Sequence, residues 1–425
     1  MKGTAHVIAR WAAVAAVLLL AGTSGETRAV VDGVTGTHFQ FRATSDYIVT
    51  PDGNSLLIWA FANGTDRAQY PGPTLIVQQG AVVTIDLDNE LDTPVSIVFP
   101  GQDDVVATGG VAGIMTREAA AAGTAGGLDR VTYSFVASQP GTYHYHSGTR
   151  PDLQVEMGLL GALIVRPSAA ANQAYNHPDS QFDHEYLFLL TEMDVNIHNY
   201  VEFGVPELVD NTSWWPVYWF INGRNAPDTM ADAFIPTLPT QPYNCLPRMH
   251  PGERLLMRVI NAGRDLHPYH HHGNHARIIA KDGRLLESAP GAGVDLSYEV
   301  FTIQSVPGET VDAIFTWTGE KLGWDMYGHS LSDPLQPAEY APDHGKPFPV
   351  VLPEALNVTF GGWWSGSPFM GQILPLPPGQ GGLNINGGYY HMWHSHTEKE
   401  IVNNDLFPGG MMTMLVVEPP GVPIP

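Results

Sequence analysis

Two short stretches constrain this chain more than anything else in it. Leu266-His267-Pro268-Tyr269-His270-His271-His272-Gly273-Asn274-His275 places five histidines within nine residues of a chain that holds 18. Near the C-terminus, Tyr390-His391-Met392-Trp393-His394-Ser395-His396 carries three more. Both contain His-x-His. On a β-strand residues i and i+2 share a face, so His270 with His272, and His394 with His396, each present two imidazoles side by side. Two such strands facing each other supply four nitrogen ligands without a cysteine. Neutral imidazole suits copper, zinc, iron and nickel, and copper is the first expectation. The fold must therefore bring two strands together across more than a hundred residues of sequence.

The rest of the chain favours strands. Gly 45 and Pro 35 are high counts, long amphipathic helical patterns are scarce, and short β-branched and aromatic runs end in turn residues. Residues 1–29 read as a secretory signal peptide: Lys2 and Arg10 precede an apolar run, Trp11 to Ala21, too short to span a bilayer. With no other long apolar run, the expectation is an exported protein without a membrane span, periplasmic or secreted. The formal net charge of -23 argues against nucleic acid as a partner. A single cysteine, Cys245, rules out an intrachain disulfide. A buried thiol is expected there in preference to a soft copper site with Met249 and His250.

In order, strands are expected at 39–44, 55–62, 74–89, 95–99, 130–137, 142–147 and 159–166, with a long loop over 103–127. Residues 168–183 read as a linker. A second set follows at 185–193, 218–222, 253–261, 276–281, 299–306, 310–318, 389–396 and 411–418. The Pro/Gly-rich insertion Gly319–Gly388 is long for a loop, which suggests a lid, a binding loop or an oligomer contact. The halves look like copies. Gly80 to Asn89 parallels Gly252 to Asn261, and Tyr145-His146-Ser147 parallels Trp393-His394-Ser395, each followed by an apolar strand. The fold class expected is all-β: two Greek-key β-sandwiches, 30–167 and 184–425.

At His267-Pro268-x-His270-x-His272-Gly273, His394-x-His396 with Gly410-Met411-Met412 downstream, and Pro71-Gly72-Pro73-Thr74, the chain resembles the multicopper oxidases, which are built from cupredoxin domains. The resemblance is strongest to the two-domain type, and it implies a homotrimer with metal held between domain 1 of one subunit and domain 2 of the next. It assigns His267 to a type 1 blue copper, and His270, His272, His394, His396 and His146 to a copper cluster. His144 joins them by sharing a strand face with His146.

The departures are as informative. Ser395 stands where the family has the blue copper's cysteine, and Glu400 where it has a further histidine. A blue site needs His₂Cys, so a type 1 copper is not expected, and His267 is either a relic metal ligand or a partner for Glu400. Domain 1's first His-x-His falls at Val98-Phe99-Pro100, which offers no ligand. Five or six imidazoles suit one or two ions. The leading expectation is a copper-dependent oxidoreductase with a type 2 or dinuclear site that acts on a small molecule or metal ion docked directly there. Glu400 is the candidate proton donor or orienting carboxylate. The alternative is a non-catalytic copper carrier or buffer. Glu398 reads as a solvated charge, Met411 and Met412 as strand core, and His271 and His275 as lying outside the ligand set.

Overall fold

The computed structural model describes residues 30–349, 365–368, 384, 387–419 and 421–425. The expected signal peptide lies outside the described residues, as does much of the second half of the 319–388 insertion. The chain forms two cupredoxin-like β-sandwiches. In the first, a five-stranded sheet packs on a four-stranded one around Phe41, Phe61, Tyr133, Tyr145 and Leu163. In the second, a seven-stranded sheet packs on a six-stranded one around Phe188, Val259, Tyr269, Phe315 and Trp393.

The halves share their wiring. Val82–Asn89 pairs in parallel with His38–Val49 and antiparallel with Arg130–Val136. Arg254–Asn261 does the same with His184–Met193 and Thr310–Thr316. Gly141–His146 pairs antiparallel with Leu160–Arg166, as Tyr389–Ser395 pairs with Met412–Val417.

Burial explains the sequence of each strand. Val82–Asn89 alternates because one face meets the core and the other meets water. Leu160–Arg166 (LGALIVR) is apolar nearly throughout because both faces are covered. Leu163 and Val165 enter the first core, while Leu160, Ala162 and Ile164 join a cluster with Leu187, Leu189, Phe220 and Ile260 of the second sandwich. The two sandwiches thus share an apolar interface continuous with their cores. A polar clasp lies beside it: buried Arg258 donates to Glu185 (2.8 Å) and to the Thr142 hydroxyl (2.8 Å), and Arg166 donates to Glu185 (2.7 Å).

Several expected elements differ. The single strand over 74–89 is two, Gly72–Gln78 and Val82–Asn89, in different sheets. Gly80, at φ +83°, turns the corner between them. Residues 95–99 make only isolated bridges, Val95 to Ala119 and Val98 to His146. The loop over 103–127 contains the short strand Val106–Gly109 on the edge of the five-stranded sheet. A helix, Val195–Glu202, capped by the Asp194 carboxylate, was not anticipated. The 168–183 segment lays Ala174, Tyr175 and Phe182 against Leu256, Ile279 and Ile314.

Candidate metal centre

The His267–His271 and Tyr389–Ser395 strands are antiparallel neighbours, with His270 directly opposite His394 and Tyr269 opposite Ser395. Parity then sorts the side chains onto two faces. His270, His272, His394 and His396 take one face; His267, Tyr269, Trp393 and Ser395 take the other, towards the core.

On the first face, ligand atoms of His270, His272 and His394 lie within 4.8 Å of one another. His394 Nδ1 faces the Ser395 carbonyl at 2.7 Å, and His272 Nδ1 faces the Ser365 carbonyl at 3.3 Å. A carbonyl only accepts, so each Nδ1 carries the proton and each Nε2 is a bare lone pair. Those two Nε2 atoms stand 3.3 Å apart. Two lone pairs aimed at each other repel, and a cation between them turns the arrangement into a bidentate grip. The third ring, His270, is set by Thr302, whose hydroxyl is 2.9 Å from Nδ1, and its flank is covered by Phe301.

The electrostatics favour neutral, ligating rings. Burial, reinforced by its histidine neighbours, pushes His270 down to about 4. Burial first, then adjacent rings, also lowers His272, and burial lowers His394. These three residues fit a transition metal of the kind that takes imidazole nitrogen, copper among them. His396 stands beside them, its ring 5.0 Å from His270 and 5.6 Å from His394; it is exposed and its Nδ1 is 3.2 Å from Glu398.

The first sandwich carries its own pair. The His144 and His146 rings stack at 5.3 Å. His146 Nδ1 faces the Ser147 carbonyl at 2.9 Å, the same arrangement as His394 with Ser395, which again frees Nε2. Burial lowers both, His144 to about 3. Neither belongs to the 4.8 Å group around His270 within this chain.

On the core face, His267 is fully buried between two carboxylates. Its Nε2 is 2.7 Å from Glu192 and its Nδ1 is 2.9 Å from Glu400, which also accepts from the Ser395 hydroxyl at 2.5 Å. Burial opposes charge on the ring, but its hydrogen bonds to Glu192 and Glu400 outweigh that and raise His267 to about 9. The ring is therefore an imidazolium at neutral pH. Glu400, expected as a proton donor or orienting carboxylate and as a partner for His267, holds His267 on the opposite face of the sheet from the three clustered imidazoles. Glu192, Thr302 and Ser365 escaped the sequence reading. Only Glu192 left a signal there, as a carboxylate in an otherwise apolar run.

The remaining candidates have structural surroundings. His271 is buried between Phe315 and Trp393 and is lowered to about 3, mainly by burial. Met411 is core. Cys245 is buried with its Sγ 3.7 Å from the Leu187 carbonyl, and burial pushes the thiol well up.

Residues 48–170 match the family model described as "Multicopper oxidase". An iron transport multicopper oxidase of Epichloe festucae is 26% identical over 227 residues, which is 52% of this chain and 32% of that protein. The L-ascorbate oxidase of Cucumis sativus is 31% identical over 129 residues, 30% of this chain and 20% of that one. The chain spans at most 32% of the length of these curated relatives. The crystal structure of a blue copper oxidase from Nitrosomonas europaea shares the fold, with a TM-score of 0.56 at 20% identity, over 89% of this chain and 85% of that one. The matched segment marks residues 48–170 as similar to the copper-dependent multicopper oxidases, and the chain as a whole shares the fold of the blue copper oxidase.

Proposed function

We propose that this protein is an exported copper oxidoreductase working from a type 2 or dinuclear site held by histidines, with no type 1 blue copper. The observation that carries the reading is the 3.3 Å approach of two unprotonated imidazole nitrogens, His272 Nε2 and His394 Nε2. Bound copper supplies one-electron redox chemistry to a small molecule or metal ion that docks beside it. The chain's own residues orient and exclude. Carbonyls of Ser365 and Ser395 fix the tautomers, Thr302 sets His270, and Phe301 shields one side of its ring. His396, exposed beside the three, is the group a docked substrate meets first.

The type 1 position is filled by a salt-bridged triad, Glu192–His267–Glu400, with the Ser395 hydroxyl in place of a thiol. A protonated ring cannot ligate copper, so a distant reductant has no thiolate relay, and substrates must reach the histidines themselves. That same feature favours one second reading, a copper carrier or buffer. His144 and His146 complete the site from domain 1 (30–167) of a neighbouring subunit against domain 2 (184–425) in a homotrimer. The reading is supported by the repeated carbonyl-to-Nδ1 geometry at His146 and His394. Export to the periplasm or beyond rests on the N-terminal sequence. Among the described residues no helix is long and apolar enough to cross a membrane.

Oxygen uptake by the copper-loaded protein, with small reductants and with His394→Ala alongside, tests the proposal. Turnover that the variant lacks is expected. Retained copper that never turns over identifies the carrier.

A further inference from the structure

We propose a second, independent metal site in the insertion, where Asp325, His329, Glu339 and His344 bind a structural Zn²⁺. It stands apart from the histidine site and from the copper reading. One ligand atom from each residue falls within 4.8 Å of the others. The same four atoms recur in every pair: His329 Nδ1 is 3.4 Å from Asp325 Oδ2 and 3.5 Å from Glu339 Oε1, while His344 Nδ1 is 3.8 Å and 2.8 Å from them. A tetrahedral zinc with imidazole and carboxylate bonds of ordinary length has ligand–ligand edges of about 3.3–3.6 Å. The four edges bracket that range.

The charges call for a cation. Asp325 and Glu339 are almost wholly buried, with side chains 0% and 4% exposed. Among the described residues neither pairs with a lysine or arginine, and the only ion-pair partners of each are the two imidazoles. His344 Nε2 donates to the Asp333 carbonyl at 3.0 Å, so Nδ1 is the ring atom left to meet the carboxylate oxygen 2.8 Å away, as a donor when the ring is protonated or as a ligand when it is neutral. A single proton relieves that contact alone. A divalent ion relieves all four and neutralises both carboxylates.

The surroundings are already fixed as a metal's outer contacts usually are. Asp325 accepts from the Tyr327 and Gly345 amides, both at 2.8 Å, and Glu339 accepts from the Gln336 amide at 2.7 Å. The His329 ring stacks on Tyr327 at 5.4 Å. Trp324 and Met326, flanking Asp325, sit in the second core. An ion here would pin the loop over residues 328–346 to the sandwich. With four protein ligands and no open position the site is structural.

The test uses the full chain carrying His270→Ala and His394→Ala, so that zinc cannot lodge at the copper ligands. It is stripped with chelator, loaded with Zn²⁺, desalted and analysed for metal. One zinc per chain is expected, together with a rise in melting temperature on loading. Adding His329→Ala and His344→Ala should abolish both. Glu339→Gln, which can keep the amide contact from Gln336, should lose zinc while the circular dichroism spectrum stays unchanged, and this covers the case in which the double change misfolds. Failure of the starting chain to retain zinc, or full retention by Glu339→Gln or by the chain lacking both histidines, overturns the proposal. None of these outcomes depends on whether copper binds at His270.

Discussion

His267 shows how one substitution partner can redirect a residue. In a blue copper site it would be a neutral ligand; between Glu192 and Glu400 it is a buried cation. Its ordinary value is about 6.5 and its folded value is about 9. The folded state therefore holds this proton more tightly than the unfolded chain. The resulting stabilisation is complete below about pH 6.5 and is lost as pH rises through 9, on the order of 3 kcal/mol for a shift of this size. Chemical denaturation of the wild type at pH 6.5 and pH 9.5 should show that alkaline loss, and His267→Gln should flatten it. An equally steep loss in His267→Gln would assign the effect to other groups.

Two strands and their parity account for the site at the scale of elements. His-x-His fixed which rings share a face, and the antiparallel pairing of His270 with His394 brings the two pairs together. That much was legible, because strand periodicity is a local property. The Thr302 hydroxyl was not, because it comes from a neighbouring strand whose register no local pattern specifies. Thr302→Val keeps the shape and deletes the contact to His270 Nδ1. Copper affinity should fall about 10- to 100-fold with little change in melting temperature, as a competitive chelator titration would read. Unchanged affinity would remove Thr302 from the site. The two-strand reading of 74–89 was also out of reach, since Gly80 turns a run whose β propensity is high throughout.

At the scale of the whole molecule, the two sandwiches share one buried apolar cluster. Their strands at Leu160–Arg166 and His184–Met193 are covered on both faces, which is why neither alternates. The sequence showed the apolar runs but not what covers them, because buried runs read alike whichever partner they meet. The polar clasp is the sensitive point. Burial opposes the charge on Glu185, yet Arg258 and Arg166 outweigh it and hold the carboxyl at about 2. Arg258 also stands 3.8 Å from buried Asp312, so Arg258→Met strips both Glu185 and Asp312 of that counter-charge and should cost about 3–5 kcal/mol, seen as a lower denaturation midpoint. A near-neutral change would mean that the clasp contributes nothing net.

The proposed centre is three imidazoles holding copper with no thiolate beside them. Copper retained per chain after loading and desalting, measured for the wild type and for His394→Ala together, tests this most directly. The expected result is at least one copper in the wild type and its loss in the variant. A wild type that retains none, or a variant that retains as much, would contradict it.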